Sequence, residues 1–202
     1  MSELMTHTYR RILLQIDAAT HCRETIGTAM DIAARLDGKL TGIFIQDSNL
    51  AAAGTLGFVR EFRLSSPIGH SLDTLTVEAQ LRAMARSVQR QLEREGGRRK
   101  ISVGFRAIRS DVQTEEDELQ DADLVIVEST GRLHSRNFRG HLTPRLSMVG
   151  LLRPTLFLKG SKSLAPEVAV VCDTLDAAQR GMRAASNLLG GSSAHVTLVP
   201  FN

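Results

Sequence analysis

The chain has no tryptophan, one tyrosine and an aromatic content of only 4%. Exposed rings on which unpaired bases stack are therefore scarce, which argues against single-strand nucleic-acid platforms. Two cysteines, Cys22 and Cys172, make no disulfide framework, and this favours a reducing cytoplasm. No stretch approaches the roughly 20 apolar residues of a membrane span. Gln15 and Asp17 interrupt the only candidate for a signal-peptide core, so neither a leader nor a membrane association is expected. Catalytic and metal motifs are also missing. His21 and Cys22 are adjacent and point apart on a helix, with no second ligand pair spaced to match. His7, His70, His134 and His195 fall in no catalytic spacing, and the stretch Gly54-Thr55-Leu56-Gly57 has too few glycines for a phosphate loop. The expectation is a chain that is not an enzyme and holds no metal.

What is present is strongly patterned. The net charge of +3 hides an asymmetry: eight acids and no Lys or Arg lie between Asp111 and Glu128, then seven Lys or Arg and no acid between Ser129 and Lys162. Clustered cations focus a field in which anions concentrate, so the second segment is a candidate anion-binding face; solvated loops of opposite sign are the plainer reading. Arg82, Arg86, Arg90, Arg94 and Arg98 recur every four residues. Such a row suits a phosphate backbone, but a solvated helix face partly paired with Glu78 and Glu93 is the simpler expectation, and nucleic acid is disfavoured.

Strand and helix signals alternate. An apolar run from Arg11 to Asp17 precedes a helix over about Thr20 to Leu36, with Ile26, Met30 and Ala33 on one face and Asp37-Gly38 as its stop. A second strand is expected over Leu40 to Ile45. The poorly patterned Gln46 to Gly69 suggests a short helix or a flap. A second helix is expected from about Leu72 to Glu95, with Val77, Leu81, Met84, Val88 and Leu92 buried and Gly96-Gly97 ending it. Ile101 to Ile108 reads as an edge strand in which Val103, Phe105 and Ala107 alternate with small or polar residues. A short acidic helix over Thr114 to Leu119, a strand at Leu124 to Val127, a helix near Leu142 to Leu152 and a strand at Thr155 to Leu158 complete the pattern. Alternation of this kind argues for a parallel sheet covered by helices on both faces. Ligands bind such sheets beyond the carboxyl ends of the strands, where Asp17 and Glu128 fall.

The opening then returns. Glu167 to Phe201 repeats the plan of Arg11 to Ile45 at a fixed offset, with Asp17 on Asp173, Ala29 on Ala185 and Thr41 on Thr197. The expected organisation is one α/β domain over residues 1–160 and a strand–helix–strand extension, a truncated second repeat, over 161–202. A two-strand unit cannot bury its own apolar faces, so the open edge of Val168 to Cys172 needs a partner: the last strand of the domain or a second chain.

Ile12 to Asp17, the helix after it and Leu40 to Ile45 resemble the start of a universal stress protein domain. Ala122 to Arg132 resembles that family's hallmark fourth-strand segment, and Arg153 to Leu158 its last strand. The resemblance covers Arg10 to Lys159 and resumes over Glu167 to Phe201. It implies a doubly wound, Rossmann-like five-stranded parallel sheet in the order 3-2-1-4-5, and last strands that meet across a two-fold axis in a homodimer. It also implies that Asp17 and Ile45 contact adenine and that Gln15 lies near the ribose. Family members that bind ATP resemble Gly, two residues, Gly, nine residues, Gly and then Ser or Thr. Here Glu128 replaces the first glycine, Ser129 and Thr130 lead to Gly131, and Arg132 follows. Gly140 comes after eight residues instead of nine, with His141 at the hydroxyl position. A carboxylate about 4 Å from a phosphate costs roughly 4 kcal/mol at a near-surface effective dielectric, on the order of a thousandfold in affinity. Alternatively Glu128 accepts a ribose hydroxyl, or Arg132, Arg136, Arg139, Arg145 and His141 offset its charge. The expected function is a stress-response or regulatory protein whose degenerate site binds ATP or AMP weakly or not at all, with an unknown protein partner. The alternative is a nucleotide-independent scaffold acting through its dimer surface.

Overall fold

The computed structural model of the chain describes residues 9–16, 22–46, 60–63, 66–71, 74–109, 122–128, 154–158, 167–172, 174–189 and 195–200. Within these, β1 (Arg11–Ile16), α1 (Cys22–Arg35) and β2 (Lys39–Gln46) come first. The hairpin β3 (Arg60–Arg63) and β4 (Ser66–Ser71), α2 (Thr74–Arg99) and β5 (Val103–Arg109) follow. Then come β6 (Leu124–Glu128), β7 (Thr155–Leu158), β8 (Glu167–Cys172), α3 (Leu175–Leu189) and β9 (His195–Pro200). The helices expected over Thr114 to Leu119 and Leu142 to Leu152 lie outside the described residues. No helix among the described residues is long and apolar enough to cross a membrane.

The main sheet has the order β5-β2-β1-β6-β7, all parallel, which is the 3-2-1-4-5 order expected for the five strands of the domain. Its centre is β1, paired with β2 on one side and β6 on the other. Alternation sends Ile12, Leu14 and Ile16 to one face, where they are fully buried with Leu40, Phe44, Leu124 and Ile126 beneath α1 and α2. Leu13, Ile43, Ile45, Val125 and Val127 are buried on the other face. Burying each such side chain stabilises by about 1.5–3 kcal/mol relative to exposure. The amino end of the β1–β6 pair is pinned by Asp123. Its carboxylate accepts from the Arg10 and Arg11 amides at 3.0 and 2.8 Å, while its own amide donates to the Arg11 carbonyl at 2.8 Å.

The two helices of this face are joined by Arg99 of α2. Its guanidinium donates to Asp31 of α1 at 3.1 Å and to Glu95 one turn back. The bond from Arg99 holds the Glu95 carboxyl below its ordinary titration range. Both helices stop with a left-handed residue that is not glycine, Asp37 at φ 50° and Lys100 at φ 57°. In each, two reversed amide–carbonyl bonds close the end. Gly38 donates to Ala33 and Asp37 to Ala34 in α1; Ile101 donates to Gly96 and Lys100 to Gly97 in α2.

Several expectations need correction. Within and just beyond the Gln46 to Gly69 stretch, expected to hold a short helix or a flap, the structure shows the antiparallel hairpin β3–β4; residues 47–59 lie outside the described ones. The second helix does not end at Gly96-Gly97 but runs through both to Arg99. Gly96 is inside it because α2 crosses β5 closely there. A Cβ on Gly96 would lie 2.6 Å from Val103 Cγ1 and 3.2 Å from the Ile101 carbonyl oxygen. Ala85 takes the buried place expected for Met84, which is 38% exposed. In β5, which does lie at the sheet edge, Ile108 is buried and Ala107 exposed.

The repeat is structural as well as sequential. β8 and β9 pair in parallel, and in both units each residue faces the one 28 positions on, Arg11 with Lys39 and Glu167 with His195. Among the described residues these strands form their own two-stranded sheet, so β8 is not paired with β7. The unit is docked by its helix: Ala184 and Leu188 of α3 join the main core, and Arg35 at the end of α1 donates to the Leu188 carbonyl at 3.4 Å.

The adjacent glycines of α2 give a prediction with opposite signs. Gly96→Ala should lose about 1–3 kcal/mol through overpacking. Gly97→Ala meets nothing within 4 Å and should gain about 1 kcal/mol from helix propensity. Urea melts of the two variants decide it, and a shift of the same sign in both would contradict the packing described.

Candidate functional site

The carboxyl ends of β1, β2 and β6 converge, and α1 starts beside them. Parallel strands place their last residues at one edge of the sheet, so the register fixes which side chains meet. Gln15 of β1 lies opposite Ile43 and Val127, and Ile45 is one alternation further along β2. Both belong to the face of Leu13 and Val125, where Ile45 is buried and Gln15 half-buried. These two predicted residues are thus brought to one side of the sheet.

Glu128 goes to the other. It follows Leu124 and Ile126 in the alternation of β6 and faces α1, with only 9% of its surface exposed. There the Thr25 hydroxyl donates to Glu128 Oε2 at 2.8 Å. Thr25 is in the first turn of α1, and both it and Glu128 are buried. The helix start is the positive end of the backbone dipole, so an acidic side chain is favourably placed there. A hydrogen bond also answers the desolvation of two buried polar groups, which would be costly unpaired. Thr28, one turn on, donates to the Glu24 carbonyl at 3.2 Å and is buried in the same way.

Thr25 is the residue that sequence reasoning missed. The signal was available: Thr25, Ala29 and Ala33 form one i, i+4 row of the buried face, and a threonine in that row must find a partner for its hydroxyl. The other predicted site residues, Asp17, Ser129, Thr130, Gly131, Arg132, Gly140 and His141, lie outside the described residues. No group of three or more His, Cys, Asp or Glu able to hold a metal occurs among the described residues.

A parallel 3-2-1-4-5 sheet with a site edge of this composition can be compared with known proteins. Residues 8–146 match the Universal stress protein family. The chain belongs to that family. A universal stress protein from Archaeoglobus fulgidus shares the fold at 13% identity with a TM-score of 0.53, over 95% of this chain and 66% of that one. A universal stress protein family member from Burkholderia pseudomallei is 13% identical over 75% of this chain and 96% of that one, with a TM-score of 0.49. A third, from Arabidopsis thaliana and solved with AMP bound, is 12% identical over 75% of this chain and 92% of that one, with a TM-score of 0.44. No curated protein matches the sequence.

Within this universal stress protein the Thr25–Glu128 bond is testable directly. Thr25→Val should destabilise the fold by about 1–3 kcal/mol, since the isosteric side chain removes the donor from a buried acid. Thr25→Ser keeps the hydroxyl and should cost less than about 1 kcal/mol. Chemical denaturation of both variants checks the order; a neutral Thr25→Val would show that the bond carries no stability.

Proposed function

We propose that this universal stress protein is a non-enzymatic stress-response or regulatory protein whose adenine-nucleotide site is degenerate, binding ATP or AMP weakly or not at all. The observation that carries the reading is Glu128. The family resemblance puts the first glycine of the ATP-binding pattern at this position, and Glu128 is buried against the first turn of α1. A glycine there lets backbone amides approach a phosphate; a side chain withdraws that approach and brings an acid to the same strand end. On the opposite face half-buried Gln15 and buried Ile45 lie together, as the family resemblance implies for the ribose and adenine contacts. Base and sugar recognition is thus better supported than phosphate recognition, which favours AMP over ATP.

A second reading, a nucleotide-independent interaction protein that dimerises, draws on a different observation. Phe157 on the edge strand β7 is 55% exposed, and Val171 of β8 is 65% exposed. Large apolar side chains on open strand edges invite association. A homodimer covers them.

Titration calorimetry with ATP and AMP tests the first reading. The wild type should bind ATP with a dissociation constant above about 100 μM, and Glu128→Gly should tighten it about tenfold or more. Glu128→Gln, which removes the charge and keeps an acceptor for Thr25, should tighten it less. Tight wild-type binding unchanged by either substitution would overturn the reading. For the second, deleting residues 163–202 removes Ala184 and Leu188 from the core, so the melting temperature should fall and light scattering should report a changed oligomeric state. A full-length monomer, or a truncated chain equally stable and equally dimeric, would refute it.

A further inference from the structure

The face of α2 turned away from the core has a composition that the nucleotide site does not explain. Val77, Leu81, Ala85, Val88, Leu92 and Gly96 commit one side of the helix to the sheet. Across the other side run Arg82, Arg86, Arg90, Arg94 and Arg98, all exposed. Sixteen residues of helix set the first and last about 24 Å apart, with neighbours one turn from each other. Like charges at this spacing repel, so the row costs stability unless something else selects it.

The ends of the row are tied and its middle is open. Arg82 pairs with Glu78 at 3.3 Å and Arg98 with Glu95 at 3.1 Å. Glu93, the other acid of the helix, accepts from Gln89 at 2.9 Å. Among the described residues Arg86, Arg90 and Arg94 have no ion-pair partner. Arg109 of the neighbouring strand β5, with 80% of its side chain exposed, lies 4.0 Å from Glu78, so that one acid is shared between Arg82 and Arg109. Every position of the row is arginine rather than lysine, the side chain that meets phosphate oxygens with a two-pronged donor.

We propose that this arginine row is a docking surface for the phosphate backbone of duplex nucleic acid, bound without regard to sequence. Positions four apart turn by about 40° around the helix, so the open arginines Arg86, Arg90 and Arg94 share the outer face over about 12 Å, roughly three to four phosphate steps of one strand at 3.4 Å each. The scarcity of aromatic residues excludes stacking on single strands but has no bearing on phosphate contacts to a duplex. An anionic membrane fits less well, because the apolar face that an interfacial helix would insert is already used in the core.

The test is fluorescence anisotropy of the full chain with a labelled random-sequence duplex of roughly 25 base pairs, in low to moderate sodium chloride. The wild type should bind with a slope of about −4 in log affinity against log salt, and be indifferent to sequence. The triple variant Arg86→Gln, Arg90→Gln, Arg94→Gln should flatten the slope by about 3 and weaken low-salt binding by about a hundredfold or more. The corresponding triple lysine variant, which keeps the charges, should retain the slope; if the glutamine variant fails to fold by circular dichroism, the single variant Arg90→Gln should flatten the slope by about 1, and no change there would overturn the proposal. Absence of wild-type binding at low salt, a slope unchanged by neutralisation, a slope lost in the lysine variant, or preferential capture by phosphatidylserine vesicles would each overturn the proposal.

Discussion

The structure depends on β1 lying between two parallel neighbours. A strand in that position has both edges hydrogen-bonded and both faces covered, so its residues must be apolar in both alternations. Ile12, Leu13, Leu14 and Ile16 meet that demand. Asp123 completes it by closing the amino end of the β1–β6 pair with side-chain and backbone bonds, which removes the slack from the register. The carboxyl ends then cannot slip relative to one another, and whatever binds there meets a fixed edge.

That fixed edge divides the strand-end side chains between two faces of the sheet. Alternation divides neighbouring strand-end residues between the faces, so Gln15 and Ile45 share one side and Glu128 the other. Glu128 is a costly residue to bury, and the hydroxyl of Thr25 and the start of α1 offset part of that cost. Its placement ties the end of β6 to the first turn of α1.

α2 and the C-terminal unit show the same economy of faces. In α2 small residues, Ala85 and Gly96, let the helix settle onto the sheet, and this leaves its arginines on the far side with acids only toward the ends of the row. In the unit β8–α3–β9, Gly181 plays the corresponding part: a Cβ there would lie 2.3 Å from Val170 Cγ1, so helix and strand can touch only through glycine. One face of the pair is covered by α3 while Val171 and Val199 on the other remain exposed. Two strands and a helix supply one covered face and no more.

Much of this was determined by the sequence alone. The alternation of apolar runs with helical stretches set the α/β class, and the resemblance of the strand-four segment to universal stress proteins implied the place of β6 beside β1. The fixed offset between Arg11 and Glu167 pointed to a second strand–helix–strand stretch, where β8, α3 and β9 lie. These features are legible because periodicity and order along the chain are local or repeat at a constant spacing. The tertiary structure decided what depends on the distance between elements. Gly96-Gly97 carries a helix-stop signal in isolation, yet the close crossing of β5 makes glycine a packing residue and the helix continues. Met84 and Ala85 have equal claims to burial until the depth of the groove is known. The residues of the hairpin have no clear period, since short strands paired only with each other carry little pattern. Glu128 could be placed on a strand end from its neighbours, but not against Thr25, 103 residues earlier in the chain. That contact exists because the sheet brings β6 and α1 together, and no spacing in the sequence encodes it.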